Sequence, residues 1–340
     1  MILSIKTGQT GAALISVLLI FAVITILATQ LITRSQLDIK RTRWLMTEAQ
    51  AYQYALSGEA QARQLLYSNQ ELLKAENQSA SVIPKKLPIY HPGNIKDNNE
   101  IAIEIVDEQG LLNLNNVGAS NEHNIILKNL FSDLLPKSNL LPYLIDWVDN
   151  DSSPQMSGAE DFRYFSREPA YRTPNRYVSA PSELMALMET EPDEYQQASH
   201  LFSALPKTTP ININTAPEEV LQAINPELSG SQVINYREQL PTGFPSLEAF
   251  LASEITAGIG LESAPLTVTS KYYAIKIRAK VADRTVWLQS RIIMDQEAMA
   301  IKLINRIQSS AFMVNVLDIE LDPESDKEPH AESNSGLNSG

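Results

Sequence analysis

The sequence predicts an α+β protein: a long N-terminal helix, part membrane span and part amphipathic, packs on an antiparallel sheet, and a large all-helical domain is inserted between the strands. Three observations carry this. An uncharged apolar run near the N-terminus continues into a helical stripe, strand-type alternation is split between residues near 105 and residues after 266, and the stretch between has helical period. With 340 residues, 44% hydrophobic and 20% charged, the chain is long enough for about two folded units and too apolar to be disordered as a whole. Its net charge of -13 argues against a surface that neutralises phosphates. Cysteine is absent, which excludes disulfides, thiolate nucleophiles and cysteine zinc sites, and leaves the redox compartment open.

The first element is a polar leader, residues 1–11, MILSIKTGQTG. Residues 12–33 follow as the transmembrane part of the helix: AALISVLLIFAVITILATQLI carries no charge, proline or glycine and is long enough to cross a hydrocarbon core of ~30 Å. A cleaved export signal is the competing reading, but its apolar core would be shorter, and no A-x-A triplet stands between Ala12 and Ser35. Charge alone points the other way on topology. Only Lys6 precedes the span, whereas Arg34, Lys40, Arg41 and Arg43 follow it, so the positive-inside rule would place the C-terminal side in the cytoplasm.

Beyond the span, Leu37, Leu45, Ala49, Tyr52, Leu56, Ala62, Leu66 and Leu73 recur mostly at steps of three, four or seven, the stripe of an amphipathic helix. Unbroken from Ala12 to Glu76, such a helix is roughly 97 Å long at ~1.5 Å per residue. It can pack on its own globular part, among the stalks of other subunits, or both. The region 34–121 then holds this helix, a turn rich in proline (Pro84, Pro88, Pro92) and two short strands, IAIEIVDEQG and LLNLNN, joined at Glu108 to Gly110. Residues 122–265 read as the inserted helical domain. Residues 266–321 bring two longer strands, turning near Ala282 to Arg284, and a further strand from Leu303 to Val316. The acidic tail 322–340 has Leu337 as its one hydrophobic anchor and is expected to be disordered.

Two motifs in the insertion could carry chemistry. In the loop 146–161, Asp146, Asp149, Asp151, Glu160 and Asp161 crowd five carboxylates around Pro154 and Gly158; these repel unless solvated or bridged by a hard cation such as calcium. The pattern is not an EF-hand, because Ser153 and Pro154 stand where a ligand and the glycine are needed. The same residues also suit an acidic loop with one Asp at a helix cap and the rest in water, and a catalytic carboxylate pair ranks third. The second motif, residues 211–253, opens on ININ with Thr215 as a natural N-cap and Glu218 in capping-box position. It resembles a helix-hairpin-helix module of DNA-binding competence proteins. Its hairpin, Asn225 to Gly230, has one glycine and an added Glu227, so the phosphate grip is missing. Four scattered histidines and the absence of metalloprotease, nucleophile-elbow and phosphate-loop motifs leave no catalytic residue to name.

The leader and its junction resemble a type IV prepilin, which implies cleavage between Gly11 and Ala12 by prepilin peptidase. At mature position five, where pilins carry a glutamate, this chain has Ser16. A buried carboxylate there costs ~2.5 to 3.5 kcal/mol and needs a neutralising partner, the neighbouring subunit's amine in pilin-like filaments. A subunit without it suits a filament end.

Taken in order, this leader, the D-W-x-D-x-D…G-A-E-D run, Tyr171 to Asn175, Ser182-Glu183-Leu184, Ala204-Leu205-Pro206 and I-N-I-N-T-A resemble the K-type minor pseudopilin family of the type II secretion system. The resemblance covers almost the full chain. It implies a pseudopilin fold, calcium held among the five carboxylates, and single-pass anchoring in the inner membrane with a periplasmic C-terminal domain. It also implies a place at the pseudopilus tip with the I-type and J-type minor pseudopilins, other pseudopilins and the inner-membrane assembly platform as partners, and no nucleic acid. That topology overrides the charge rule. The runner-up is a membrane-anchored DNA-binding competence factor using 211–253, followed by a calcium-dependent periplasmic hydrolase with a perturbed carboxylate near Asp149.

Overall fold

The computed structural model describes residues 10–75, 99–188, 190–295 and 300–309. The leader before Thr10, the prolines at 84, 88 and 92, the expected strand beyond Ser309 and the tail lie outside these residues. In chain order the elements are α1 (Thr10–Ala75), β1 (Glu100–Asp107), β2 (Leu112–Asn113), α2 (Asn121–Leu134), α3 (Leu140–Val148), α4 (Asp161–Tyr164), α5 (Pro192–Ala198), β3 (Phe202–Ser203), β4 (Ile211–Asn212), α6 (Glu218–Ile224), α7 (Gly230–Glu238), α8 (Leu247–Leu251), β5 (Leu266–Thr267), β6 (Tyr272–Val281), β7 (Arg284–Asp295) and β8 (Ala300–Ser309). A four-stranded antiparallel sheet of order β1-β6-β7-β8 carries the pseudopilin-type part.

Helix α1 runs unbroken, because its sequence lacks proline and its polar groups are spent locally. Within the apolar half, the hydroxyls of Thr25, Thr29 and Thr33 donate to the carbonyls four residues back at 2.8, 2.8 and 2.9 Å, so none of these three is left to face lipid alone. Large apolar side chains from Leu14 to Met46 are exposed. The C-terminal half buries Ala51, Ala55, Ala62 and Leu66 against Ile101, Ile275, Ile277, Leu288 and Ile292. Gly58 permits the close approach: a methyl group there would stand 3.0 Å from Ile101 and 3.2 Å from Ile277. Glu59, 2% exposed, is held in this interface by two nitrogens of the Arg306 guanidinium, Nε and Nη2, each at 2.8 Å, and by Ser290 at 2.6 Å; these partners outweigh the cost of burial and hold its carboxyl below the ordinary glutamate range.

These contacts orient the molecule. Arg284, at the β6–β7 turn, lies over the Trp44 ring, 5.2 Å from its centroid, while Arg63 reaches the Ile301 carbonyl at the opposite end of the sheet. The β6–β7 turn therefore faces the apolar half of α1. The chain leaves β1 at Asp107 and returns at Tyr272, which is the far end. From Ile32 to Leu66 the helix rises about 50 Å. The insertion is consequently carried on the end of the sheet most distant from the membrane-length segment.

The insertion has its own core and consists of two units built alike. In the first, β2 pairs in parallel with β3; in the second, β4 pairs in parallel with β5. Asn113 and Asn212 each accept from the amide two residues on, at 3.1 and 3.0 Å. Asn115 then donates to the Val178 and Leu205 carbonyls and accepts from the Val178 amide; Asn214 donates to the Phe244 and Val268 carbonyls and accepts from the Phe244 amide. A buried Asn at each place ties a strand end to two remote backbone segments, and leaving such an amide unpaired would be costly. The units differ in the length of their first helix and, most of all, in one connection: residues 149–180 link α3 to a 3-10 turn at Pro181–Ala186, where residues 239–246 suffice between α7 and α8.

Two local expectations change. The strands expected on either side of Glu108 to Gly110 do not form a hairpin: β1 pairs with β6, and β2 belongs to the insertion, because Gly110 must pass against Thr215, where a methyl group would meet its hydroxyl oxygen at 2.6 Å. The insertion thus begins before residue 122. Thr215 is not a helix cap either. Its hydroxyl donates to the half-buried Asp107 carboxylate at 2.6 Å, and α6 starts after Pro217.

Candidate functional site

Span 149–180 contains most of the acidic run. It is anchored by an aromatic floor in which Trp147 packs edge-on to Tyr164 and Tyr171, with centroids 5.4 and 6.3 Å apart. The Trp147 indole donates to Glu183 and the Tyr171 hydroxyl to the Ala186 carbonyl, at 3.3 and 2.6 Å. On this floor, one carboxylate oxygen each from Asp149, Asp151 and Glu160 lie within 4.8 Å of one another. That separation is about twice a calcium–oxygen bond.

The two other predicted residues are placed differently. Asp146 is fully buried behind the group; its carboxylate accepts the Gln155 amide at 2.9 and 3.2 Å and touches the backbone at Gly158. Asp161 spends one oxygen on the amide and hydroxyl of Thr173, both at 2.9 Å. Asp146 and Asp161 therefore shape the loop, and the convergent oxygens come from the other three.

The donor set fits a hard cation. Oδ1 of Asp149 and Oε1 of Glu160 are buried with no hydrogen-bond partner among the described residues, and no lysine or arginine pairs with any of the three carboxylates there. Without a cation, burial and then the charges of Asp146, Asp149, Asp151 and Asp161 push the Glu160 carboxyl up to about 7; Asp149 is raised by burial and by Asp151 and Asp146. Carboxylates so placed gain most from a divalent ion with oxygen preference.

Gly158 has a definite role in this loop. A methyl group on it would stand 2.0 Å from Asp146 Oδ2. Gly158→Ala is expected to displace Asp146 from its amide and lower stability by about 2 kcal/mol or more; thermal melting would check it.

A second constellation, missed from the sequence, lies at the junction. Asp107 accepts from Thr215, Ser270, Asn212 and the Gln109 amide, at 2.6, 2.7, 2.9 and 2.9 Å. Burial still pushes its carboxyl up. Glu108 is paired with Arg291 at 2.6 Å, and Arg291 also donates to the Ala204 carbonyl of the first unit. Gln109 accepts from the Lys271 amide, and its own carbonyl accepts from the Asn212 amide. The available signal was an acidic pair and an amide at the end of an apolar strand, immediately before a glycine.

The helix-hairpin-helix resemblance takes shape as α6 and α7, but the hairpin is closed on itself. The Glu227 amide donates to the Asn225 side chain, the Leu228 amide to the Asn225 carbonyl and the Gly230 amide to Gln222. Arg237 donates to the Ile213 and Ala216 carbonyls instead of facing outward. Nothing in this geometry offers a phosphate grip, and the DNA-binding alternative is unsupported.

A helix of membrane length that continues into the back of an antiparallel sheet defines a membrane-anchored protein of pilin-like build, here with a two-unit head. Models of the family described as type II secretion system (T2SS), protein K, match residues 110–207 and 211–270, one to each unit. The type II secretion system protein K of Pseudomonas aeruginosa is 31% identical over 307 residues, covering 84% of this chain and 89% of that protein. Its counterpart in Pectobacterium carotovorum subsp. carotovorum is 29% identical over 303 residues, 82% and 90% of the two chains. The chain belongs to the type II secretion system protein K family, and it is a minor pseudopilin of that secretion system. The fold is also that of a chain in the crystal structure of the GspK-GspI-GspJ complex from enterotoxigenic Escherichia coli, with a TM-score of 0.66, 23% identity, and 80% of this chain and all of that one covered.

Proposed function

We propose that this minor pseudopilin sits at the tip of the pseudopilus, with its apolar helix seated in the inner membrane and its head in the periplasm, where it initiates or caps assembly. One observation supports this above the rest: the two-unit insertion stands on the membrane-distal end of the sheet, so its bulk lies where the next subunit would have to add. Ser16 removes the carboxylate by which a pilin-type subunit neutralises its neighbour's amine. The solved complex of GspK with GspI and GspJ supports I-type and J-type minor pseudopilins as its partners. The role is mechanical and needs no turnover. Imaging of labelled chain in assembled filaments is expected to place one copy at an end; labels spaced along the fibre would refute the reading.

The acidic loop takes calcium through Asp149, Asp151 and Glu160, with Asp146 and Asp161 holding the loop in shape. The ion would supply charge neutralisation and rigidity there, and the orphaned oxygens of Asp149 and Glu160 support it.

Processing by prepilin peptidase between Gly11 and Ala12 completes the proposal. Mass spectrometry of membrane-extracted chain is expected to find an N-terminal alanine, methylated on its amine; a chain that keeps Met1 would count against it.

A further inference from the structure

Arg34, Lys40, Arg41 and Arg43 stand just past the apolar run, on the side that the orientation proposed above gives to the head, where the positive-inside rule leaves chains poor in Lys and Arg. Nothing in the fold uses them. All four are exposed, and among the described residues none has a carboxylate within ion-pairing distance, a hydrogen bond or a ring contact. Between Ala12 and Thr47 they are opposed by the single carboxylate of Asp38, so this stretch is positive in a chain of net charge -13. Next to them the head brings Arg284 over Trp44, and Arg284 is itself paired with Asp283 at 3.7 Å; core contacts with the sheet begin only at Ala51.

One continuous helix places the four groups together. At about 1.5 Å per residue, Arg34 lies about 3 Å beyond Ile32, the end of the apolar run, and Arg43 about 16 Å beyond it. The headgroup layer is about 5–8 Å deep on each side of the hydrocarbon. The Cα–Cβ bonds of a helix tilt towards its N-terminus, which here is the membrane. The long side chains of Lys40, Arg41 and Arg43 therefore lean back to within a Debye length, about 8 Å, of that layer. Around the axis they do not share one face. At 3.6 residues per turn Arg41 returns to within about 20° of Arg34, while Lys40 and Arg43 stand about 120° and 180° away. A neighbouring helix could meet only part of such an arc, whereas a layer of headgroups meets all of it.

We infer that Arg34, Lys40, Arg41 and Arg43 form a collar that binds the phosphates of anionic phospholipid in the leaflet on the head's side. Each cation held close to an anionic surface adds an attraction that fades within a Debye length. The collar fixes the depth at which α1 is seated, and it gives the four charges a partner on a side where topology alone does not call for them. The inference rests on the membrane seating proposed above and needs neither the tip position nor the cation site.

The test uses the full chain in phosphatidylcholine bilayers with a trace of spin-labelled phosphatidylglycerol or, separately, of spin-labelled phosphatidylcholine, and reads the fraction of each lipid whose motion the protein restricts. Phosphatidylglycerol is expected to be favoured about fivefold at low salt, and the preference to shrink in high salt. It should fall to parity when Arg34→Gln, Lys40→Gln, Arg41→Gln and Arg43→Gln are combined, since glutamine keeps the helix and removes the charge. It should persist when Arg34→Lys, Arg41→Lys and Arg43→Lys are combined, which keep the charge. Equal restriction of the two lipids by the unaltered chain, a preference retained by the glutamine form, or one lost from the lysine form would each overturn the inference; an acidic helix as the true partner would give the first of these. Restriction of neither lipid would overturn the membrane seating as well, whereas equal restriction overturns the collar and leaves the seating standing.

Discussion

Glu108→Ala is expected to destabilise the protein by about 3–5 kcal/mol, because it strands the buried Arg291 guanidinium where sheet and insertion meet. Glu108 is 4% exposed and Arg291 9%, so neither charge can recover its hydration by turning outward. Burial raises the Glu108 carboxyl, and Arg291 opposes that rise. Arg291→Ala should cost comparably and also free the Ala204 carbonyl of the first unit. The double replacement Glu108→Gln with Arg291→Met removes both charges at once, and should recover much of the loss. Chemical denaturation of the unaltered chain, Glu108→Gln, Arg291→Met and this double form gives the coupling. A coupling under about 1 kcal/mol would show that the pair does not hold the head to the sheet.

The second large effect is expected from calcium. At a thousandfold excess over its dissociation constant, the ion should stabilise the fold by about 4 kcal/mol, a rise in melting temperature on the order of 10 °C for the full chain in detergent. The sign of the pH dependence follows from Glu160. Its carboxyl titrates near 7 in the folded, cation-free chain and near 4.5 when exposed, so between these values the folded state holds a proton that the unfolded state has lost. The cation-free protein should therefore gain stability as pH falls from 8 towards 5, by up to ~1.4 kcal/mol per unit. The calcium-bound protein should move the opposite way, since protons compete for the same oxygens. The calcium-induced rise is then largest near pH 8 and shrinks towards pH 5.5. A rise that does not change with pH would remove Glu160 from the ligand set, and Asp151→Asn should reduce the rise at every pH.

Much of the architecture was legible in the residues. The apolar run from Ala12, the stripe through Leu66 and the alternation in KYYAIKIRAKV are periodic signals, and each was long enough for local sequence to decide helix or strand. The five carboxylates were equally visible, since charge crowding is a property of composition and spacing. Their division of labour was not. Asp146 and Glu160 carry the same charge in the same loop, yet one faces the Gln155 amide and the other an open cluster, because Gly158 lets the backbone close on Asp146 alone.

The short elements went the other way. A two-residue strand such as Leu112–Asn113 has no period of its own, so its partner is chosen by what lies across from it, here Phe202 ninety residues on and not the neighbouring β1. Thr215 met every local condition of a helix cap and was claimed instead by Asp107, whose burial makes each available hydroxyl more valuable than a cap in water.

By itself, then, the sequence determined the anchor, the helical stalk, the longer strands and the presence of an acidic loop, all properties that neighbouring residues confer on one another. Only the tertiary structure decided that the insertion is two units of one plan, that it stands on the end away from the membrane, and that three of five carboxylates converge. Those outcomes depend on groups far apart along the chain competing for the same buried donors and acceptors, a competition that exists only once the core has closed.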